Sequence, residues 1–77
     1  MRLFTDNIDW TRFVVLLRER FFEYTQKELS DEVGVDPNTV AKWEQGKSTP
    51  RRPNKRKLKE LARKKGFTEA QWPEKGK

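Results

Sequence analysis

Residues 25–47 of the chain read TQKELSDEVGVDPNTVAKWEQGK, and most of the local signals behind the predicted fold lie in this stretch. It opens with a capping box, in which the Thr25 hydroxyl accepts the amide hydrogen of Glu28 and the Glu28 carboxylate accepts that of Thr25. Gly34 stands where a helix commonly ends on a left-handed residue. The pattern therefore predicts a short helix between these two signals.

A second helix is predicted to follow after a very short turn. Asp36 is a preferred N-cap residue, and Pro37 suits the first helical turn because its missing amide hydrogen would be unpaired there anyway. Gly46 is expected to end this second helix, as Gly34 ends the first. A turn of three residues, 34–36, makes the two helices cross steeply. We therefore predict a helix-turn-helix over residues 26–45.

The apolar residues of this stretch predict how its two helices pack. They recur at the spacing of one helix face and are Leu29, Val33, Val35, Val40 and Trp43. We expect these side chains to be buried against one another and to fix the angle between the helices. The opposite side of the second helix, which carries Asn38 and Lys42, would then face outward.

Further helices are predicted on both sides of this motif. A first helix over about residues 8–22 is indicated by an apolar stripe and by Asp6 or Asn7 as its N-cap. The stripe consists of Trp10, Phe13, Val14, Leu17 and Phe21. Residues 47–53 form a basic loop with two prolines, which cannot continue a helix. After it, a helix capped by Asn54 is expected to run to about Lys65.

The remaining C-terminal residues predict little structure. Thr68 and Gln71 fit a second capping box, but Trp72-Pro73 leaves room for barely one turn. Residues 73–77 are expected to fray. The fold class is thus all-α, a compact bundle of four to five short helices, and the length of 77 residues allows one domain over residues 1–77.

Composition excludes several classes of function. The chain has no cysteine and no histidine, so thiolate and imidazole ligands for metals are missing, as is the usual general base. We expect no enzyme activity, no catalytic residues, no metal and no cofactor. The longest apolar run spans five residues, 13–17, which is too short for a membrane span. We expect no membrane partner, and the lack of cysteine suits a reducing, cytoplasmic setting.

The net charge of +6 is unevenly distributed. Residues 1–46 have a balance of −3, whereas residues 47–65 have a balance of +9 with Glu60 as their only acid. Such asymmetry indicates a polyanionic partner that is touched from one side. A solvated lysine-rich helix face explains it equally well, and charge alone does not separate these two interpretations.

The stretch quoted above resembles the Cro/cI-type helix-turn-helix family, also called the xenobiotic response element family. The resemblance rests on the joint spacing of Gln26, Leu29, Gly34, Val35, Val40 and the pattern Trp43-Glu44-x-Gly46 at the end of the motif. It covers roughly residues 10–72. It implies a bundle of the lambda-repressor-like type. It also implies a double-stranded DNA partner, in the prokaryotic nucleoid or in a phage- or plasmid-encoded context.

The resemblance further implies which side chains meet the bases. These would be Pro37, Asn38 and Thr39 at the start of the recognition helix and Lys42 one turn later. Asn38 can pair with adenine and Lys42 with guanine. Asp36 is favoured as a cap rather than as a base reader, because its carboxylate is committed to backbone amides.

Other side chains are implied to contact the DNA backbone or the minor groove. Gln26 matches the family glutamine that meets a phosphate at a helix N-terminus, and Lys27 is a weaker candidate beside it. The loop and the start of the following helix contribute Lys47, Ser48, Arg51, Arg52 and Lys55. For Arg51 and Arg52, a flexible solvated loop is nearly as good an interpretation.

A structural ion pair is also implied. In the family, an acidic residue at the position of Glu44 pairs with an arginine on the first helix, which indicates Arg18, with Arg20 and Arg12 as alternates. Here the span from that arginine to Gln26 is one residue longer than usual, and Glu23 replaces a common glycine.

The resemblance favours a repressor-like transcriptional regulator that reads the major groove with residues 37–45. The alternative is an accessory or antitoxin-type protein whose main partner is another protein, and RNA association is a third option. A homodimer on a palindromic site is implied by the family. However, Lys65 stands where relatives have leucine, which reduces the apolar surface on which they dimerise.

Overall fold

The computed structural model describes residues 7–76 and is helical throughout its core. Helix α1 spans Trp10–Leu16 and continues as a π-helical segment over Leu17–Phe22. Helix α2 spans Gln26–Val33, α3 spans Pro37–Gln45, and α4 spans Arg52–Lys64. A single 3₁₀ turn, Glu69–Gln71, follows. Within the described residues there is no strand, only one isolated bridge, so the expected all-α class is confirmed.

The starts of α2 and α3 are capped as predicted. The amide of Glu28 donates to the Thr25 hydroxyl at 3.1 Å, and the amide of Thr25 donates to the Glu28 carboxylate at 2.8 Å. The Asp36 carboxylate accepts the amide of Asn38 at 2.8 Å. Gly34 takes a left-handed conformation with φ of 90° and ends α2. Local sequence signals are thus sufficient to determine where α2 and α3 begin and where α2 ends.

The start of α1 was predicted wrongly. Its N-cap is Asp9, whose carboxylate accepts the amide of Arg12 at 3.3 Å, so the predicted cap Asn7 lies before the helix. Asp6, the other predicted cap, lies outside the described residues. The helix begins two residues later than expected because the backbone of the segment before it pairs with the C-terminal tail.

The start of α4 was also predicted wrongly. The helix begins at Arg52 with Arg51 as N-cap, so Asn54 lies inside the first turn and does not cap it. Pro53 is tolerated there because a first-turn amide needs no helical partner. The basic loop is therefore shorter than expected, and it is anchored by the buried Pro50.

The core is formed by one face of each helix. Among residues 7–76, the core cluster of buried apolar side chains consists of Trp10, Phe13, Val14, Leu17, Leu29, Val40, Trp43, Leu58, Leu61, Ala62 and Phe67. Val33 and Val35 are only partly buried but pack against this cluster. The rings of Phe13 and Phe67 lie 5.2 Å apart, and Phe21 stacks on Phe67 at 4.4 Å. Large rings thus give a small domain its core.

The π-helical segment Leu17–Phe22 overlaps the stretch between Arg18 and Gln26 that is one residue longer than the family pattern. π-Helical turns are rare in proteins. The chain then leaves the helix at Glu23, which has φ of 55° and is the single non-glycine residue with positive φ among those described. This conformation costs an L-residue about 1–2 kcal/mol, because its Cβ approaches the carbonyl oxygen.

We expect Glu23→Gly to stabilise the protein. Glycine adopts positive φ without strain, which outweighs its larger entropy loss on folding, so the free energy of unfolding should rise by about 0.5–1 kcal/mol. Thermal unfolding followed by circular dichroism measures this. Glu23→Ala removes the same charge but keeps the Cβ, so it should give no gain. An equal gain from alanine would show that charge, not backbone strain, is responsible.

The C-terminal tail pairs with the segment before α1, and the expected fraying of residues 73–77 stays a prediction. The amide of Asp9 donates to the Pro73 carbonyl at 2.9 Å, and the amide of Lys75 donates to the Asn7 carbonyl at 2.9 Å. Ile8 and Glu74 form an antiparallel bridge. The two ends of the described chain therefore close against each other beside α1.

Candidate nucleic-acid interface

Helix α3 presents two distinct sides. Val40 and Trp43 are buried against the core, whereas Asn38 and Lys42 are exposed. Residues four apart lie one above the other on a helix. The structure therefore brings Asn38 and Lys42 together on the outward side.

The other predicted base-contacting residues lie at the edge of this side. Pro37 and Thr39 are half-buried, and the amide of Thr39 donates to the Asp36 carbonyl at 2.9 Å. The carboxylate of Asp36 is occupied by the amide of Asn38. Asp36 thus acts as a helix cap, and Pro37 offers apolar surface only.

Gln45 extends the outward side of α3 and was missed from the sequence. It is exposed and lies seven residues after Asn38 and three after Lys42, so the three side chains follow one row. The helical period alone could have found it. Its carboxamide has both donors and an acceptor, which suits contacts to bases or phosphates.

Gln26 takes part in the fold as well as in the candidate interface. Its Nε2 donates to Oε1 of Glu44 at 3.0 Å, and the residue is half-buried at the first position of α2. One of its two amide hydrogens is thereby used within the protein. The neighbouring Lys27 is exposed and lies 3.4 Å from Asp31, an i,i+4 pair of two exposed side chains.

The residues predicted to contact the DNA backbone from the loop and from the first position of α4 are exposed. They are Lys47, Ser48, Arg51 and Arg52. The amides of Lys47 and Ser48 both donate to the Lys42 carbonyl, at 2.9 and 3.4 Å, so the loop starts from the end of α3 in a fixed direction. Lys55 is half-buried, with its Nζ 5.6 Å from the centre of the Trp10 ring.

The structure pairs Glu44 with Arg18. Arg18 Nε donates to Glu44 Oε2 at 2.6 Å and Nη2 donates to Oε1 at 3.1 Å, which is a bidentate geometry. The two side chains are only 14 % and 9 % exposed. The hydrogen bond to Glu44 raises the pKa of Arg18 above its usual value. Arg12 and Arg20, the alternates, are exposed.

This ion pair joins three elements. Arg18 belongs to the π-helical segment and also donates from Nη1 to the carbonyl of Tyr24 at 2.9 Å. Glu44 belongs to α3 and accepts from Gln26 of α2. The network therefore fixes α3 against both preceding helices and sets the direction in which its outward side points.

Comparison with known families assigns the fold. A sequence model of the helix-turn-helix family HTH_3 matches residues 22–71, which is more than half of the chain. The chain therefore belongs to this family of Cro/cI-type helix-turn-helix proteins, as its sequence predicted. It is a family of DNA-binding domains and not an enzymatic one. No curated protein and no solved structure matches the chain.

Residues 7–76 contain neither a membrane-spanning helix nor a cluster of potential metal ligands. None of their helices combines the length and the apolar character that crossing a bilayer requires. Nor do these residues place three potential metal ligands of the His, Cys, Asp or Glu type close together.

Proposed function

We propose that the protein binds double-stranded DNA at specific sequences and acts as a repressor-like regulator of transcription. The observation that carries this proposal is the arrangement of α3. Its apolar side is buried while Asn38 and Lys42 share the exposed side. The major groove is about 12 Å wide and admits a helix in this orientation.

Base recognition is assigned to the outward side of α3. Asn38 pairs with N6 and N7 of adenine, and Lys42 donates to O6 or N7 of guanine. Pro37 and the methyl group of Thr39 provide apolar contact to thymine methyl groups. Since Pro37 has no donor, we propose that direct readout depends on few base pairs.

Backbone contacts position this helix. Lys27 and Gln26 lie in the first turn of α2, where free amides favour a phosphate. Lys47, Ser48, Arg51, Arg52 and Lys55 supply the second set of contacts after α3. Arginines of this loop suit the enhanced negative potential of a narrow A·T-rich minor groove. Occupation of an operator in this way would exclude polymerase from overlapping promoter DNA.

Selection from a random duplex pool tests sequence-specific binding. We expect one short motif to be enriched, and a palindrome repeated at about 34–36 Å if the protein binds as a dimer. The affinity for that motif should fall with salt, with a slope in log K of about −0.9 per neutralised phosphate, hence about −4.5 for the five basic residues among the backbone contacts.

The same selection experiment can contradict the proposal. Weak duplex binding with no enriched motif would argue against a regulator that reads sequence. Together with tight capture of one defined protein, it would favour the accessory or antitoxin-type alternative.

A further inference from the structure

Both carboxylate oxygens of Glu44 accept hydrogen bonds. Oε2 accepts from Arg18 Nε at 2.6 Å, and Oε1 accepts from Arg18 Nη2 at 3.1 Å and from Gln26 Nε2 at 3.0 Å. The Glu44 side chain is only 9 % exposed. An ionised carboxylate can accept hydrogen bonds but cannot donate them. A polar group that contacts Glu44 in this enclosed position must therefore present a donor.

This requirement determines which end of the Gln26 carboxamide faces inward. A carboxamide has one oxygen that accepts and one NH₂ group that donates two hydrogen bonds. Beside Glu44 the oxygen would meet a negative charge, so Nε2 faces inward and donates one of its hydrogens to Oε1. The planar NH₂ group directs its second hydrogen away from that oxygen. The Gln26 side chain thus keeps one oriented donor for a ligand.

The negative charge of Glu44 is balanced by Arg18. The guanidinium approaches the carboxylate in bidentate geometry and also donates from Nη1 to the carbonyl of Tyr24 at 2.9 Å. Its second acidic contact, Glu19, is 61 % exposed and is screened by solvent. Glu44 can therefore orient Gln26 without leaving an uncompensated charge that would repel a nearby phosphate.

The position of Gln26 on α2 suits a phosphate contact. It is half-buried and occupies the first helical position, where backbone amides have no partner within the helix and favour an anion. Lys27 shares this turn, but its Nζ lies 3.4 Å from Asp31 of the same helix. Of the two proposed phosphate contacts on α2, Gln26 is bonded to α3 and Lys27 is bonded within α2.

We propose that Glu44 is a positioning residue for DNA binding, whose carboxylate holds the Gln26 carboxamide so that Nε2 donates to a phosphate of the duplex. The inference rests on the proposed function, because it concerns how one of the proposed backbone contacts is oriented. A hydrogen bond to a phosphate is charge-assisted and stronger than one between neutral groups. Since Glu44 belongs to α3, its bond to Gln26 couples this phosphate contact to the helix that is proposed to read the bases.

A double-mutant cycle on random duplex tests this proposal. Gln26→Met removes both side-chain donors, and its effect on affinity is measured in the native chain and in Arg18→Met/Glu44→Met, at a temperature where both are folded. In the native chain we expect a loss of about tenfold, as for a hydrogen bond to a charged group. Without the carboxylate the loss should be at most about threefold, because ordering the released side chain offsets most of the bond.

Lys27→Met is the matched control, because Lys27 lies on the same turn of α2 and is bonded to Asp31 rather than to Glu44. Its effect on affinity should be the same in both backgrounds. This comparison separates the orientation of one side chain from the placement of the whole helix, which a purely structural role of the ion pair would change.

Three results of the cycle would overturn the proposal. Equal losses from Gln26→Met in both backgrounds would mean that the carboxamide needs no help from Glu44. Effects of Gln26→Met and Lys27→Met that shrink together would mean that the ion pair places α2 as a whole. A Gln26→Met variant of native affinity would remove Gln26 from the DNA contacts, and the role of Glu44 with it.

The orientation of the carboxamide is also measurable without DNA, from the side-chain NH₂ signals of Gln26 in NMR spectra of the free chain. The hydrogen on Glu44 should resonate downfield of the NH₂ hydrogens of the exposed Gln45, because its bond is charge-assisted. The shift should disappear in Arg18→Met/Glu44→Met. An ordinary shift in the native chain would contradict the proposed orientation.

Glu44→Gln repeats the cycle if Arg18→Met/Glu44→Met fails to fold. It keeps the shape of the side chain but offers a donor as well as an acceptor, so Gln26 can turn either end inward, and the same reduced effect of Gln26→Met is expected. Failure of the motif selection leaves this cycle unaffected, because phosphate contacts on random duplex carry no sequence information. The positioning role and the proposed function can therefore fail separately.

Discussion

Replacing Asn38 and Lys42 together by alanine is expected to lower the affinity for the selected duplex by about 10²–10³-fold, because each good side-chain pair with a base contributes about 1–3 kcal/mol. Both side chains are exposed on the outward side of α3, so their removal leaves the core unchanged. Affinity for random duplex should change much less. It depends on the phosphate contacts of the loop and of α4, which the variant retains.

The measurement is fluorescence anisotropy with selected and random duplexes at one salt concentration. Lys57→Ala is the matched control, since it removes an exposed lysine from α4. It should weaken binding to both duplexes by a similar small factor. If the double variant kept the full ratio of selected to random affinity, the assignment of base reading to Asn38 and Lys42 would be wrong.

Arg18→Met is expected to lower the free energy of unfolding by about 3–5 kcal/mol, since it leaves the carboxylate of Glu44 enclosed without its cationic partner, with Gln26 as a remaining hydrogen-bond donor. Glu44 is only 9 % exposed and accepts two hydrogen bonds from Arg18. In a domain of this size, the midpoint of thermal unfolding should fall by about 12 °C or more. Such a loss is a large part of the total stability of a small domain.

Circular dichroism during urea and thermal unfolding measures this effect. Arg12→Met makes the same substitution at an exposed arginine of α1 and should change stability by no more than about 0.5 kcal/mol. Arg18→Met/Glu44→Met should recover much of the loss, because no unpaired charge remains buried. A cost for Arg18→Met as small as that for Arg12→Met would show that the pair contributes little to stability.

The two variants have different consequences for DNA binding. Loss of the Arg18–Glu44 pair releases α3 from α1 and α2, so affinity for selected and random duplexes should fall together as the folded fraction falls. Loss of Asn38 and Lys42 lowers the affinity for the selected duplex far more than that for random duplex. The pattern across two duplexes therefore separates positioning of the helix from reading of the bases.

The sequence by itself determined the helix-turn-helix. Thr25, Asp36 and Gly34 start and end its helices through hydrogen bonds and backbone conformations that involve neighbouring residues only. The period of Leu29, Val40 and Trp43 determined which side is buried, and hence that Asn38 and Lys42 face outward. Local interactions of this kind can be predicted without knowing where the rest of the chain lies.

Only the tertiary structure decided the features that join distant segments. The carboxamide of Gln26 is directed to Glu44, which lies eighteen residues away, and the positive φ of Glu23 follows a π-helical segment. The late start of α1 accompanies backbone pairing between residues 7–9 and 73–75. These contacts depend on the packed arrangement of the whole chain, so no short stretch of sequence contains the information that predicts them.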